Sequence, residues 1–324
     1  MENRFNQVEL ITHLFMNKLK RRKFLQTVSG FTVAAGMANF PTLAARNKLP
    51  FNEQNRFKLS LNAYSFNELL RKGLTNLELV MDFCAAEQFD AIDITGYYFP
   101  GYPAVPSDEY IFKLKRKAHQ LGLEISGTGI RNDFGDSDKS KRAAEIALIK
   151  NWIEVAAKLG APVIRIFTAE AITPGYSWQT MADWIVADIK ECVAYGRQFG
   201  VIVAVQNHND FIKTAEQMTY IIQKVASEWF GLVSDTGSYV TEEPYSEIAK
   251  TANYAVNWQI KEKINYLGEN RDMDLEKIFT ILKASTYRGY LPIETLTPGD
   301  PFQIVPPFLK KVNTAMKKIM GNNY

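Results

Sequence analysis

From about residue 57 the chain alternates between short apolar runs and longer amphipathic ones, and that alternation leaves few folds open. "KLSLNAY", "FDAIDIT", "LEISGTG" and "PVIRIFT" read as strands, and so do "VIVAVQN", "FGLVSD", "YAVNWQI" and "YLPIET". The segments between them have helix signals. Thr75 stands three residues before Glu78, and Thr214 three before Gln217, both capping-box spacings. Gly160 and Gly200 close helical stretches, and Asp300 precedes Pro301 at a helix entry. Eight such units in roughly 270 residues match the parallel (β/α)8 barrel, whose usual size is about 250 residues. The competing fold, a doubly wound open sheet, places a Gly-rich phosphate turn after its first strand, and "SFNELLRKG" has none. "GTGIRNDFG" has two glycines at the right gap but Asn132 where the third would stand, so it reads as a tight turn at the barrel top. No linker or low-complexity tract divides residues 46–324, which read as one domain.

The N-terminal stretch is different in kind. "KLKRRKFLQTVSGFTVAAGMANFPTLAA" runs from a basic cluster through a mildly apolar segment to the small residues Thr42 to Ala45. That is the layout of an export signal, and Arg21-Arg22 followed by Phe24-Leu25 resembles the twin-arginine type. Residues 1–45 are therefore expected to be a removable signal, with Met16 as an alternative start, and the protein is expected in the periplasm. They hold six of the 38 Lys/Arg and two of the 35 Asp/Glu, leaving 32 basic and 33 acidic residues behind. With no basic excess, nucleic acid is a poor partner, and no later segment has the length and apolarity of a membrane span. Cys84 and Cys192 each lie among apolar residues at helical spacing and read as buried free thiols, although export would permit a disulfide.

In a barrel of this kind, chemistry sits at the C-terminal ends of the strands, and alternate residues point inward. The fifth strand then sends Ile202, Ala204 and Gln206 inward, with His208 just past the rim. Asp235 ends the sixth, Gln259 and Lys261 share one face of the seventh, and Glu294 ends the eighth. Four oxygen-bearing side chains, Gln206, Asp235, Gln259 and Glu294, thus close four successive strands. Hard divalent cations take such ligands, which points to Mg or Mn. The alternative is that these groups satisfy one another and water at the mouth. Asp93, ending the second strand, is placed to bind a sugar hydroxyl or to cap the next turn. Arg165 points inward on the fourth strand. Arg131 and Asn132, after the third, and Asn209, after the fifth, are within reach of a substrate. "GYYFPGYP" (residues 96–103) suits either a wall for stacking on a sugar face or packing on a second copy of the chain.

The order of "LSLNAYSF", "VIRIF", "NHND", "DTGS" and "IETL" resembles the xylose isomerase-like TIM barrels, a group of sugar phosphate isomerases and epimerases. The resemblance covers essentially the whole chain after the signal. It implies a metal held by Glu, Asp, His and Glu at the ends of strands five to eight. Asp235 and Glu294 match that set. Gln206 stands where a Glu is usual, Gln259 where a His is usual, and Ser238 where a substrate-contacting His is common.

These departures bear on mechanism. Epimerases of the family swap a proton between two metal-bound carboxylates, and Gln206 cannot serve as a base because an amide does not ionise near neutral pH. The ligand charge falls from about −3 to about −2. Glu294 remains a base, with His208 and Lys261 as acid–base groups or as stabilisers of an enediolate oxygen. The expected function is a sugar isomerase or epimerase acting on a carbonyl sugar through a metal-stabilised enediolate. The alternatives are a lyase or hydratase acting on keto-sugars or oxidised glycosides, and a non-catalytic sugar-binding barrel.

Overall fold

The computed structural model describes residues 57–208 and 211–321. The expected export signal and Asn209 lie outside the described residues. The eight anticipated strands are present: β1 (Lys58–Asn62), β2 (Ala91–Thr95), β3 (Glu124–Gly129), β4 (Val163–Ile166), β5 (Ile202–Gln206), β6 (Phe230–Asp235), β7 (Ala255–Lys261) and, after a hairpin, β10 (Tyr290–Glu294). They close in the order β1-β10-β7-β6-β5-β4-β3-β2, every pair parallel, giving a (β/α)8 barrel. The helices are α1 (Asn67–Arg71), α2 (Leu77–Ala86), α3 (Asp108–Gln120), α4 (Lys139–Leu159), α5 (Trp178–Gln198), α6 (Ala215–Val225), α7 (Pro244–Thr251), α8 (Leu275–Ala284) and α9 (Pro301–Met320). No helix among the described residues is long and apolar enough to cross a membrane.

Most helix signals work as the sequence suggests. Thr214 and Gln217 form a reciprocal capping box at α6, Gly160 ends α4 in the left-handed conformation, and Asp300 accepts a hydrogen bond from the Phe302 N–H to open α9. One differs. The cap of α2 is Asn76, which accepts from the Leu79 N–H at 3.0 Å, while the Thr75 hydroxyl is buried without a hydrogen-bond partner. Asn is as good a cap as Thr, and it is the residue in the extended conformation directly before the helix.

Two apolar compartments result. The larger lies between strands and helices and includes Trp152, Trp258, Phe279, Ile92 and both cysteines, which are free thiols. A small one inside the barrel consists of Val163, Ala204 and Val233, flanked by Ile202 and Val256. At about 1.5–3 kcal/mol per fully buried large apolar side chain, the outer compartment dominates the stability of the barrel. The interior above the small cluster is thereby released to polar groups.

β3 makes room for them. Gly127 and Gly129 belong to the strand itself rather than to a turn at the barrel top. A Cβ on Gly127 would lie 2.7 Å from Asp93 Oδ2, and one on Gly129 would lie 2.9 Å from the Arg165 guanidinium. A register shift between Ile92 and Asp93 sets Asp93 opposite Gly127. The sequence pattern also misses an antiparallel hairpin, β8 (Lys263–Tyr266) and β9 (Glu269–Asp272), which follows β7 directly. Its turn, Leu267-Gly268, has positive φ at both residues (51° and 100°), and leucine there gives no turn signal.

Candidate active site

Parallel strands deliver their C-terminal residues to one rim, and register sets the height of each. Asp235 pairs with Gln259 across β6 and β7, and Lys261 with Glu294 across β7 and β10. Asp235 is fully buried, and the Glu294 side chain is 3% exposed. Lys261 Nζ lies 3.0 Å from Asp235 Oδ2 and 2.9 Å from Glu294 Oε1, bridging the two carboxylates. Burial alone would favour a neutral amine here. The charges of Asp235 and Glu294 and their hydrogen bonds outweigh it and hold the Lys261 ammonium above its ordinary pKa. Glu262, next in the chain, is not an ion-pair partner of Lys261. Glu262 instead accepts from the Leu296 and Thr297 N–H groups at 2.8 and 3.0 Å, tying the segment after β7 to the loop after β10.

The amides complete the cluster. Gln206 Nε2 donates to Asp235 Oδ2 at 2.6 Å, and Gln259 Nε2 donates to Glu294 Oε2. Asn207, which sequence reasoning passed over, clamps the end of β6: its Oδ1 accepts from the Asp235 N–H at 2.8 Å, and its Nδ2 donates to the Asp235 carbonyl at 2.9 Å. The Gly237 N–H donates to Asp235 Oδ1 at 2.9 Å. The signal for Asn207 was its place directly after Gln206 in "VQNHND", where strict alternation assigns it to the opposite face.

The expected metal set therefore does come together, but around an ammonium. A divalent cation requires the carboxylate and amide oxygens to converge on one point. Here both amides turn N–H groups to the carboxylates, as a glutamine facing an ionised carboxylate must, and Lys261 Nζ lies between the acids. Among the described residues no group of three or more His, Cys, Asp or Glu is placed to hold a metal ion. As arranged, these residues do not fit a divalent metal.

The remaining candidates are distributed around the mouth. His208 packs edge-on against Phe167, ring centroids 5.2 Å apart, at the rim beyond β5. Ser238 is buried in the turn after β6, its N–H 3.5 Å from the Asp235 carbonyl. Arg131 is held at the exposed rim, its Nε donating to Glu170 at 2.9 Å. Asn132 is structural, with both amide atoms bonded to the backbone of Phe167. Arg165 donates to the Tyr97 hydroxyl at 2.8 Å and to the Ile130 carbonyl at 2.6 Å, and its guanidinium lies 4.2 Å from the centre of the Phe167 ring. The aromatic segment after β2 is a rigid wall. Tyr97 meets Tyr64 and Tyr102 edge to face, and Trp152 Nε1 donates to the Pro103 carbonyl at 2.9 Å.

Asp93 caps no turn. It faces inward beside Asn257, whose Nδ2 is 3.4 Å away. Burial pushes its carboxyl up to about 6, Arg165 pulls it down, and Glu294 adds to the rise. From an ordinary value of 3.8, the folded protein keeps this proton while the unfolded chain loses it. The contribution to stability is therefore complete below pH 3.8 and lost as pH rises through about 6. Asp93→Asn is expected to be close to neutral at pH 4 and to stabilise by about 1–3 kcal/mol at pH 7.5. Urea unfolding at the two pH values checks this, and equal effects at both would refute it.

The family model for xylose isomerase-like TIM barrels matches residues 81–312. No curated protein matches the sequence. Among solved structures, D-psicose 3-epimerase from Clostridium cellulolyticum H10, with D-tagatose, aligns with a TM-score of 0.67 at 16% identity, over 80% of this chain and 99% of that one. The apo form of 3-keto-D-glucoside 4-epimerase from E. coli aligns with a TM-score of 0.62 at 15% identity, over 80% and 100%. A xylose isomerase-like TIM barrel protein from Mycobacterium smegmatis, in complex with magnesium, aligns with a TM-score of 0.63 at 17% identity, over 83% and 99%. At these identities the likeness to each structure is one of fold. The family match itself spans well over half of the sequence, and the chain belongs to the xylose isomerase-like TIM barrel family.

Proposed function

We propose that this protein is a sugar isomerase or epimerase that moves a proton beside the carbonyl of a sugar. The observation that carries this reading is the Asp235–Lys261–Glu294 bridge at the C-terminal mouth of the barrel. Two N–H groups of the ammonium face the carboxylates, and its third is available to donate to a substrate oxygen. As a proton leaves the adjacent carbon, charge grows on that oxygen, and a fixed ammonium in a partly dry site stabilises it as it forms. Glu294 is the base. Each of its oxygens accepts one hydrogen bond and retains a second lone pair for a substrate proton. His208, at the rim, returns or relays the proton, and Tyr64 and Tyr97 offer a face for the sugar ring.

Gln206 supplies no second carboxylate, and one base with one acid also suffices for β-elimination or hydration of a keto-sugar. Incubation with ketoses and 3-keto-glycosides in D2O distinguishes these outcomes by NMR. Deuterium incorporation at the carbon beside the carbonyl, with the glycosidic bond intact, is the expected result. Release of the aglycone makes the protein a lyase. Binding without exchange or release in any carbonyl sugar removes the enzyme reading and leaves a sugar-binding barrel. The basic, apolar and small-residue order of residues 18–45 supports export. Neutral sugars or glycosides then suit the protein better than sugar phosphates, and cell fractionation tests that location.

A further inference from the structure

We propose that the Lys261 ammonium is the resident cation of the barrel mouth and excludes divalent metals, and that removing it uncovers a Mg or Mn site formed by Gln206, Asp235, Gln259 and Glu294. This goes beyond the reaction proposed above, and it stands on geometry. The ammonium bridges the two acids at 3.0 and 2.9 Å and so takes the position between them that a shared metal would need. A dication entering between those oxygens would lie within a few ångströms of a like charge in a poorly solvated site, a strongly unfavourable position.

The lysine is built in rather than draped over the rim. Its backbone N–H donates to Thr236 Oγ1 at 3.0 Å, and its side chain is 13% exposed. A Cβ at Gly237 would lie 2.8 Å from the Lys263 carbonyl and 3.2 Å from Lys261 Cδ, so the glycine gives room to the backbone after β7 and also to the stem. The two positions where the chain departs from the family's Glu and His, Gln206 and Gln259, follow from the same occupant. Each places an N–H on one of the acids. A second carboxylate at 206 would crowd Asp235 with like charge. With one ammonium and two neutral amides, Asp235 and Glu294 leave the cluster at −1 rather than the −3 of a full family ligand set with its metal absent, about the level one built-in cation can hold.

Removing the stem opens the space, and rotation of each glutamine amide turns Oε1 toward the gap, giving four oxygen ligands. The test uses the full chain without substrate, so its outcome is separate from that of the exchange assay. Mn2+ is titrated into wild type, Lys261→Ala and Lys261→Met, following free Mn2+ by EPR and the melting temperature. Lys261→Met retains the packing of the stem if Lys261→Ala fails to fold, and either variant is refolded with Mn2+ when it does not purify folded. Wild type is expected to show no saturable binding and no shift in melting. The variants are expected to bind one Mn2+ at least about 100-fold more tightly and to melt higher with it. Adding Asp235→Asn to Lys261→Ala should abolish that gain. Stoichiometric Mn2+ binding by wild type overturns the proposal, and so does a failure of both variants to bind better than wild type.

Discussion

Glu294→Gln is expected to lower the rate of deuterium exchange about 1,000-fold, within the range for loss of a positioned acid or base. The substitution keeps the shape of the side chain, and the Gln259 contact can persist as an amide–amide hydrogen bond. Lys261 loses one of its two counter-charges but retains Asp235 at 3.0 Å, so the cluster goes from −1 to neutral with no orphaned charge and the fold stands. The loss should appear in kcat, with little change in KM, because the base acts in the transition state and not in holding the ground-state sugar. A residual rate within about tenfold of wild type would place the base elsewhere. His208 and Asp93 would then be the groups to change.

Arg142→Met is expected to destabilise the protein by about 3–5 kcal/mol, because it leaves a buried carboxylate without its counter-charge. Arg142 on α4 donates from Nε to Asp188 on α5 at 2.6 Å, with both side chains no more than 10% exposed. Its Nη1 also bonds the Asp136 and Ser137 carbonyls at 2.9 and 3.1 Å, and its guanidinium packs 5.2 Å from the Trp184 ring centre. The arginine thus joins two helices and the loop that leads into the first. Urea unfolding measures the loss. The double variant Arg142→Met/Asp188→Leu should recover much of it, since replacing both partners leaves no orphan charge. A single-variant loss under about 1 kcal/mol would mean that the pair behaves as a surface bridge.

The barrel was legible in the sequence because burial on the helix-facing side imposes apolar strands, and because eight of them alternate with capped helices. The inward faces of the late strands were legible too. Period-two alternation puts Gln206, Asp235, Gln259 and Glu294 on one side, and the structure brings all four together. What alternation does not give is height and reach. Lys261 shares a face with Gln259 two residues away, but it is the length of its stem that takes the charge to both Asp235 and Glu294. Alternation does not mark Asn207 for the related reason that it bonds backbone across strands rather than facing the interior. The glycines of β3 read as a turn because glycine signals freedom of φ, whereas here it answers the nearness of Asp93 and Arg165. Asn76 displaced Thr75 as a cap because both residues suit the role and a sequence pattern does not fix which is extended.

Glu262 gives the mouth a mechanical property. One carboxylate oxygen ties the segment leaving Lys261 to the loop leaving Glu294, while strand pairing fixes the same two residues a step earlier. Lys261 and Glu294 are thus held from two sides, by strand pairing and by the Glu262 tie beyond it. On the proposed reading, a sugar at this mouth meets a spacing already set. On that same reading, discrimination among sugars is expected of the segments after β2 and β5, which carry the aromatic wall and His208, and a search for altered specificity belongs there.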